Sequence, residues 1–257
     1  MPTSLTLSIG TLYGFVLVLA RVSGALVFVP IPGVRAVAEP ARVALALGVT
    51  MALASRWPAG VAGTVSAGTM AGWIAAEASL GVTIGVAVAI AMEAFSLAAQ
   101  ILGMQAGYAY ASTIDPNTEA DSGVLLVFAQ LIAGMLFFAL GLDRDVLRLF
   151  AQTLDRIPPG AYVAGPGSAG PIIRLGAVLF AAGIRLALPV VALLLMVDVA
   201  LALVGRLNQQ LQLLSLAFPV KMLLALAVLS WTAAMFPRVL GEIGGQALGA
   251  ARRAIGV

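Results

Sequence analysis

The chain has 257 residues, of which 61% are hydrophobic and 10% are charged, whereas about 25% of the residues in an average soluble domain are charged. With a mean hydropathy of +1.08, this composition predicts an all-α integral membrane protein with about six long hydrophobic helices. The sequence has no Cys and no His, which removes thiol catalysis, Ser-His triads and the common zinc ligands, so we expect neither an enzyme nor a cofactor. The net charge is +3 and the basic residues are scattered along the chain. This distribution gives no support for nucleic-acid binding.

Six apolar segments follow one another along the chain. The first has no basic n-region and no obvious cleavage site, so we expect it to be retained as a membrane span. The third is longer than the roughly 20 residues of a perpendicular span, so we expect it to tilt or to project from the bilayer. The predicted segments cover about residues 9–30, 41–57, 70–100, 124–142, 172–203 and 218–240.

The polar stretch after the fourth segment alternates apolar and charged residues at helical spacing. Its apolar residues fall on one side of a helix, and the prolines Pro158 and Pro159 follow. This pattern predicts an interfacial amphipathic helix that ends before the proline pair. The apolar residues are Val146, Leu147, Leu149, Phe150 and Leu154, and the charged ones are Arg144, Asp145, Arg148 and Asp155.

Residues 103–123, with the sequence GMQAGYAYASTIDPNTEADSG, are rich in glycine and end in a cluster of carboxylates. In a membrane protein, backbone this irregular is tolerated only at the interface, inside protein or along a water-filled path. The tract is therefore the best candidate for a moving part.

Charged residues inside the apolar segments are expensive in a bilayer and usually face the protein interior. They could form a proton or ion relay, or they could make buried contacts between helices or subunits. The second interpretation fits better, because the acids are far apart in sequence and no inverted repeat of the transporter kind is found. The residues predicted to serve this buried polar packing are Arg21, Glu77, Glu93, Arg185 and Asp198.

Two further patterns lie in the C-terminal third. Gly241, Gly245 and Gly249 are spaced by four residues, which suits close packing of a helix either against a partner or within the chain. A run of neutral amides stands at the turn between the last two apolar segments, either as a recognised turn or as a solvated one. The turn residues are Asn208, Gln209, Gln210 and Gln212, with Pro219 and Lys221 at the start of the next segment.

The order and spacing of these features resemble a known family over essentially the full length. The features are the Arg21 segment followed by PIPGVRAVAEPAR, the GMQAG motif with Asp115-Pro116, and the C-terminal hairpin. They resemble the FliR family of flagellar biosynthetic proteins and its injectisome counterpart SctT. The family commonly has a Pro-Gln pair and an Asn at the hairpin turn, where this chain has Gln209-Gln210 and Gln212.

The resemblance implies a FliP-like helical part over residues 1–171 and a FliQ-like helical hairpin over residues 172–257. It also implies a non-enzymatic subunit of the flagellar type III export gate, located in the bacterial inner membrane at the flagellar basal body. Such a subunit would form, with FliP and FliQ subunits and in contact with FlhB, the channel for unfolded flagellar proteins.

The same resemblance implies that the loop 103–123 acts as a pore plug and that the amide turn faces the cytoplasmic entrance. The alternative for the loop is a plain interfacial connection. On the plug interpretation, Gly103, Gly107 and Gly123 supply flexible points, Gln105 and Tyr108 pack or hydrogen-bond in the closed pore, and Asp115-Pro116 fixes a turn.

Topology gives a conflicting indication. The positive-inside rule would make the arginine-rich side cytoplasmic and would place the amide turn outside. We prefer the orientation implied by the family, because helices shielded inside an assembly need not follow a rule that concerns independently inserted helices. The arginines concerned are Arg56, Arg144, Arg148, Arg156, Arg174, Arg252 and Arg253.

Two alternatives to a flagellar export-gate subunit remain open from the sequence. One is the equivalent subunit of a virulence injectisome, which would need the same gate. The other is a secondary transporter that uses Glu77, Glu93 and Asp198, which would bind a small solute and lose activity when these acids are neutralised.

Overall fold

The computed structural model describes residues 9–29, 39–57, 65–108, 123–163, 165, 168–207 and 213–257. Within these ranges the regular structure is entirely helical, which confirms the prediction of an all-α fold. Two short 3-10 helices occur, at Ala54–Arg56 and Ala233–Met235. The α-helices are α1 (Ile9–Leu26), α2 (Glu39–Ala52), α3 (Ala67–Ala106), α4 (Val124–Ala139), α5 (Leu142–Arg156), α6 (Ala169–Leu207), α7 (Leu213–Thr232) and α8 (Phe236–Ile255).

Each of the six predicted apolar segments is helical in the structure, although several boundaries differ. The third segment continues to Ala106, and the last is interrupted by the 3-10 turn Ala233–Met235. Among the described residues, α1, α3, α6 and the stretch Pro219–Ile255 are each long and apolar enough to cross a membrane. The helices α4 and α5 add a fifth span if they are counted together.

The chain divides into two compact units that do not follow the order of the sequence. The first unit contains Met1–Ala91, Gly141–Gly176 and Gly244–Val257, and the second contains Met92–Leu140 and Ala177–Ile243. The helices α3, α6 and α8 contribute residues to both units.

In the first unit, α1 and α3 approach each other through glycines. A Cβ atom at Gly81 would overlap the carbonyl oxygen of Arg21, and one at Gly85 would overlap that of Ala25. The absence of a side chain at these two positions therefore allows the two backbones to touch. The four-residue glycine spacing at this point in α3 serves packing within the chain.

Replacing Gly81 with Ala is expected to lower the unfolding temperature of the protein in detergent. The added methyl group would meet backbone atoms of α1, and overpacking of this kind costs roughly 1–3 kcal/mol. The matched control is Gly72→Ala on the same helix, where the new Cβ would meet no atom within 4 Å. Because Ala favours a helix over Gly by about 1 kcal/mol, the control should be neutral or stabilising, and equal effects of the two changes would contradict the contact.

The helix α5 has the amphipathic character that the sequence predicts. Val146, Leu149, Phe150 and Leu154 are buried, whereas Leu147 is exposed. The helix ends at Arg156, shortly before Pro158 and Pro159, because a residue before proline is disfavoured in the helical conformation. The charged face of α5 stays at the surface of the first unit.

In the second unit, the C-terminal part of α3 packs against α6 and α8. A Cβ at Gly183 would lie 2.7 Å from the side chain of Leu97, so α6 comes close to α3 at this glycine. The rings of Phe95 and Phe236 meet edge to face, with centroids 5.6 Å apart. These contacts hold α3 against α6 and α8.

Candidate functional site

A polar cluster in the second unit joins α3, α6 and α7. The Lys221 ammonium lies 2.6 Å from a carboxylate oxygen of Asp198, and the side-chain amide of Gln105 donates a hydrogen bond to the same carboxylate at 3.2 Å. The Lys221 side chain is only 15% exposed and that of Asp198 is 39% exposed. We call these three residues the latch cluster.

The chain leaving α3 is attached to α7 at a second point. Gly107 has a φ of 87°, a left-handed conformation that suits glycine after the last turn of a helix. Directly after it, the Tyr108 hydroxyl donates a hydrogen bond to the carbonyl oxygen of Met222 at 3.0 Å. Burial raises the pKa of this hydroxyl above its ordinary value. Two contacts therefore fix the end of α3 to α6 and α7.

The tract that the sequence singles out as a moving part lies between α3 and α4. Gly103 and Gln105 belong to α3, so irregular backbone begins after Ala106 and not at Gly103. Gly123 precedes α4 with an extended backbone, at φ −49° and ψ 136°. Asp115 and Pro116 lie outside the described residues. The structure thus gives both ends of the tract and the contacts of its first residues.

The structure describes only part of the predicted amide-turn region. Its residues Asn208, Gln209, Gln210 and Gln212 lie outside the described part of the chain. Pro219 is an exposed residue inside α7, and Lys221 follows it in the latch cluster. Among the described residues of the turn region, Lys221 has a defined partner, Asp198.

The first unit contains a fully buried ion pair between α1 and α3. The Nε atom of Arg21 lies 2.5 Å from a carboxylate oxygen of Glu77, and neither side chain is exposed to solvent. The other guanidinium nitrogens of Arg21 donate to the Thr153 hydroxyl at 3.1 Å and to the Ile157 carbonyl at 3.0 Å. Buried charges are stable only when they are paired and hydrogen-bonded, and each nitrogen of this guanidinium donates to an acceptor.

The second carboxylate oxygen of Glu77 is bound by the backbone after α5. The N–H of Gly160 donates to it at 2.8 Å. Gly160 has a φ of 90°, a backbone conformation that favours glycine. Burial, and then the charge of Glu77, raise the pKa of the nearby Tyr162 hydroxyl. The pair thereby fastens the turn after α5 to α1 and α3.

The remaining intramembrane charges are not in this chain's interior, so buried packing for Glu93 and Arg185 stays a prediction that would need a neighbouring subunit. Glu93 is exposed on α3. The Arg185 side chain is 67% exposed on α6 and lies 3.9 Å from Glu242. The physical reason is that α6 is largely uncovered within the chain: only 17% of the residues in its most apolar stretch are buried. Asp198 is intermediate and belongs to the latch cluster.

Sequence reasoning missed the residues that complete the Arg21–Glu77 ion pair, and it missed the neighbour of Arg185. Thr153 and Gly160 coordinate the Arg21–Glu77 pair, and Glu242 lies beside Arg185. The proline pair before Gly160 marks a turn. Nothing in the sequence indicates that the N–H of Gly160 faces a carboxylate. Within the described residues, no group of three His, Cys, Asp or Glu side chains is placed to hold a metal ion.

Comparison with known proteins identifies the family. Residues 12–246 match the model of the bacterial export proteins, family 1. The chain belongs to this family. It is 28% identical over 222 residues to the flagellar biosynthetic protein FliR of Escherichia coli (strain K12), covering 86% of this chain and 83% of that protein. The resemblance drawn from the sequence motifs is thereby confirmed.

Two further relatives have the same name. The FliR protein of Pectobacterium carotovorum subsp. carotovorum is 27% identical over 224 residues, covering 87% of this chain and 84% of the relative. The FliR protein of Caulobacter vibrioides is 28% identical over 221 residues, covering 85% and 87%. The similarity thus extends over most of the length of this bacterial export protein and of its relatives.

Proposed function

We propose that this chain is a non-enzymatic subunit of the flagellar type III protein export gate in the bacterial inner membrane. Its membership of an export family and its similarity to FliR proteins of three bacteria support this proposal. The named relatives are flagellar, which favours the flagellum over an injectisome. The chain would form the export channel with FliP and FliQ subunits, in contact with FlhB, and flagellar proteins would be its cargo.

The gate would be closed by the tract between α3 and α4. The observation that carries this proposal is the double attachment of the end of α3, through Gln105 to Asp198 and through Tyr108 to Met222. These two polar contacts hold the entry of the tract, up to Tyr108, against α6 and α7. The entry would be released by breaking them, and Gly107, between Gln105 and Tyr108, would provide the point of rotation.

In this proposal, residues 1–171 form a FliP-like part and residues 172–257 form a FliQ-like hairpin. The amide turn at residues 208–212 would face the cytoplasmic entrance.

A solute transporter is less well supported, since Glu77 already binds Arg21 and Asp198 already binds Lys221. Two of the three acids that a transporter would use therefore have cation partners.

Deletion of residues 109–119 should leave the assembled gate leaky to small ions at rest, because the segment that blocks the pore would be too short to span it. Ion conductance of the purified assembly in a planar bilayer measures the leak. Replacing the same residues with an equally long Gly-Ser segment is the control for length alone. If the deletion leaves the resting conductance unchanged, the plug is ruled out.

Removal of the whole chain tests its place in export. Cells that lack it should stop secreting flagellar proteins while their membrane potential stays normal, and FliP and FliQ subunits should copurify with the tagged chain from complemented cells. Normal secretion without the chain would exclude the proposed function.

A further inference from the structure

A charged cluster lies on the exposed side of α6 and α8 within the second unit. Two arginines share one carboxylate: Arg238 lies 3.1 Å and Arg185 lies 3.9 Å from an oxygen of Glu242. The side chains of Arg185, Arg238 and Glu242 are 67%, 85% and 45% exposed. With two arginines and one glutamate, the cluster therefore has a net charge of +1.

Arg185 cannot remove this excess by losing its proton, because guanidinium stays charged in proteins. At 1.5 Å per residue, it stands about 24 Å from the first residue of α6 and about 33 Å from the last. The helix around it is apolar enough to span a membrane, where an unmatched arginine is unfavourable by several kcal/mol. The position therefore calls for an anionic partner at the level of Arg185.

The surface beside the cluster is shaped for a helix. Ala177 and Ala181, two turns and one turn before Arg185 on the same side of α6, are both exposed. Gly241, next to Glu242 in sequence, has no described atom within 4 Å of the position of a Cβ. Small side chains allow a second helix to approach closely. Arg185 lies far from both ends of α6, so a carboxylate on a membrane-spanning helix is better placed to meet it than a lipid phosphate at the bilayer surface.

We propose that this surface, formed by Ala177, Ala181, Arg185, Arg238 and Glu242, docks a membrane-spanning helix of another subunit that presents an Asp or Glu to Arg185. The partner carboxylate would balance the excess positive charge of the cluster. The proposal rests on the proposed function only in that this function supplies a partner subunit.

A site-specific cross-link tests the partner. The chain has no Cys, so Ala181→Cys introduces a single attachment point for a maleimide-linked photo-cross-linker in native membranes. The cross-linked peptide, identified by mass spectrometry, is expected to come from a membrane-spanning helix with an Asp or Glu. Adding Arg185→Glu should lower the cross-link yield roughly tenfold, as expected for a charge pair across an interface. Replacing the partner's acid with Arg should then restore the yield.

Arg206→Glu is the matched control, because Arg206 is another exposed arginine on α6, near the end of the helix. It should leave the yield unchanged. Arg185→Lys should keep most of the yield, because the charge is retained. If Arg185→Glu does not accumulate in the membrane, Arg185→Gln takes its place with the same expected loss.

Three results would overturn the docking surface. They are a cross-link that forms only with phospholipid, which would assign the arginines to lipid phosphate; a yield that Arg185→Glu does not change; and a reversed partner acid that fails to restore the yield. These readings are independent of secretion. If cells without the chain still secrete flagellar proteins, the proposed function fails while the cross-link can still be read.

Discussion

Replacing Glu77 with Gln is expected to destabilise the folded chain by roughly 3–5 kcal/mol, because Arg21 would become a buried guanidinium without a counter-ion. The Gln side chain keeps the size of Glu, but its NH2 group cannot accept a hydrogen bond, so either the N–H of Gly160 or the Nε–H of Arg21 also loses its acceptor. The loss therefore combines the missing charge with one lost hydrogen bond. The thermal unfolding midpoint in detergent measures it.

A double-mutant cycle separates the pair from its surroundings. Arg21→Met should be as damaging as Glu77→Gln, since it leaves a buried carboxylate. The double variant should be more stable than the sum of the single effects predicts, because no unpaired charge remains in it. Strict additivity would show that the two charges do not depend on each other.

The surface pair Arg148–Asp145 provides the control for this cycle. Its side chains are 70% and 41% exposed, at 2.9 Å. Exposed pairs contribute about 0–1 kcal/mol, so Arg148→Met should barely shift the unfolding midpoint. A large shift there would mean that the detergent state is generally fragile, and that the Glu77 result has no special cause.

The contrast between Glu77 and Glu93 shows how far sequence reasoning reaches. Both acids stand in one apolar helix, and both are predicted to face the interior. At 3.6 residues per turn, 16 residues place them about 160° apart around the helix axis. A straight α3 cannot turn both toward the same neighbours. In the structure Glu77 is buried and Glu93 is exposed, as this geometry requires.

The helices themselves follow from composition and from breakers such as Pro158 and Gly107, which act locally. The partners of the buried charges do not follow from these local features, because they depend on contacts between distant parts of the chain. Arg21 and Glu77 are 56 residues apart, and the N–H that completes their site belongs to Gly160, 83 residues after Glu77. Hydropathy identifies the residues that need a partner, and only the packing of helices identifies the partner.

The latch cluster shows the same limit. Gln105, Asp198 and Lys221 are predicted as members of three different groups: the plug, the buried polar residues and the entrance turn. The structure brings Gln105 and Lys221 within hydrogen-bonding distance of the Asp198 carboxylate. Each residue type indicated a polar role, but the sequence did not indicate that the roles are joined.

Replacing Asp198 with Asn should make the resting gate leak. Lys221, which is only 15% exposed, would lose its counter-ion, and the bond from Gln105 would lose its charged acceptor. Hydrogen bonds to charged groups contribute about 1.5–3 kcal/mol, and partial exposure of Asp198 places the expected effect at the lower end. We therefore expect roughly a tenfold shift toward the open state, measured as resting conductance per assembled particle in a planar bilayer. Gln105→Leu and Tyr108→Phe should each have a smaller effect in the same direction.

Exchanging the charges, Asp198→Lys with Lys221→Asp, should restore part of the seal, whereas Asp145→Asn at the exposed pair on α5 should leave it intact. A general loss of stability could also cause a leak, and Gly81→Ala distinguishes the two causes. That change weakens the contact between α1 and α3 and leaves the latch cluster untouched, so it should reduce the amount of assembled protein without changing the conductance of each particle. If Gly81→Ala and Asp198→Asn raise the conductance per particle equally, the leak reports weak folding and the latch cluster has no role in closing the gate.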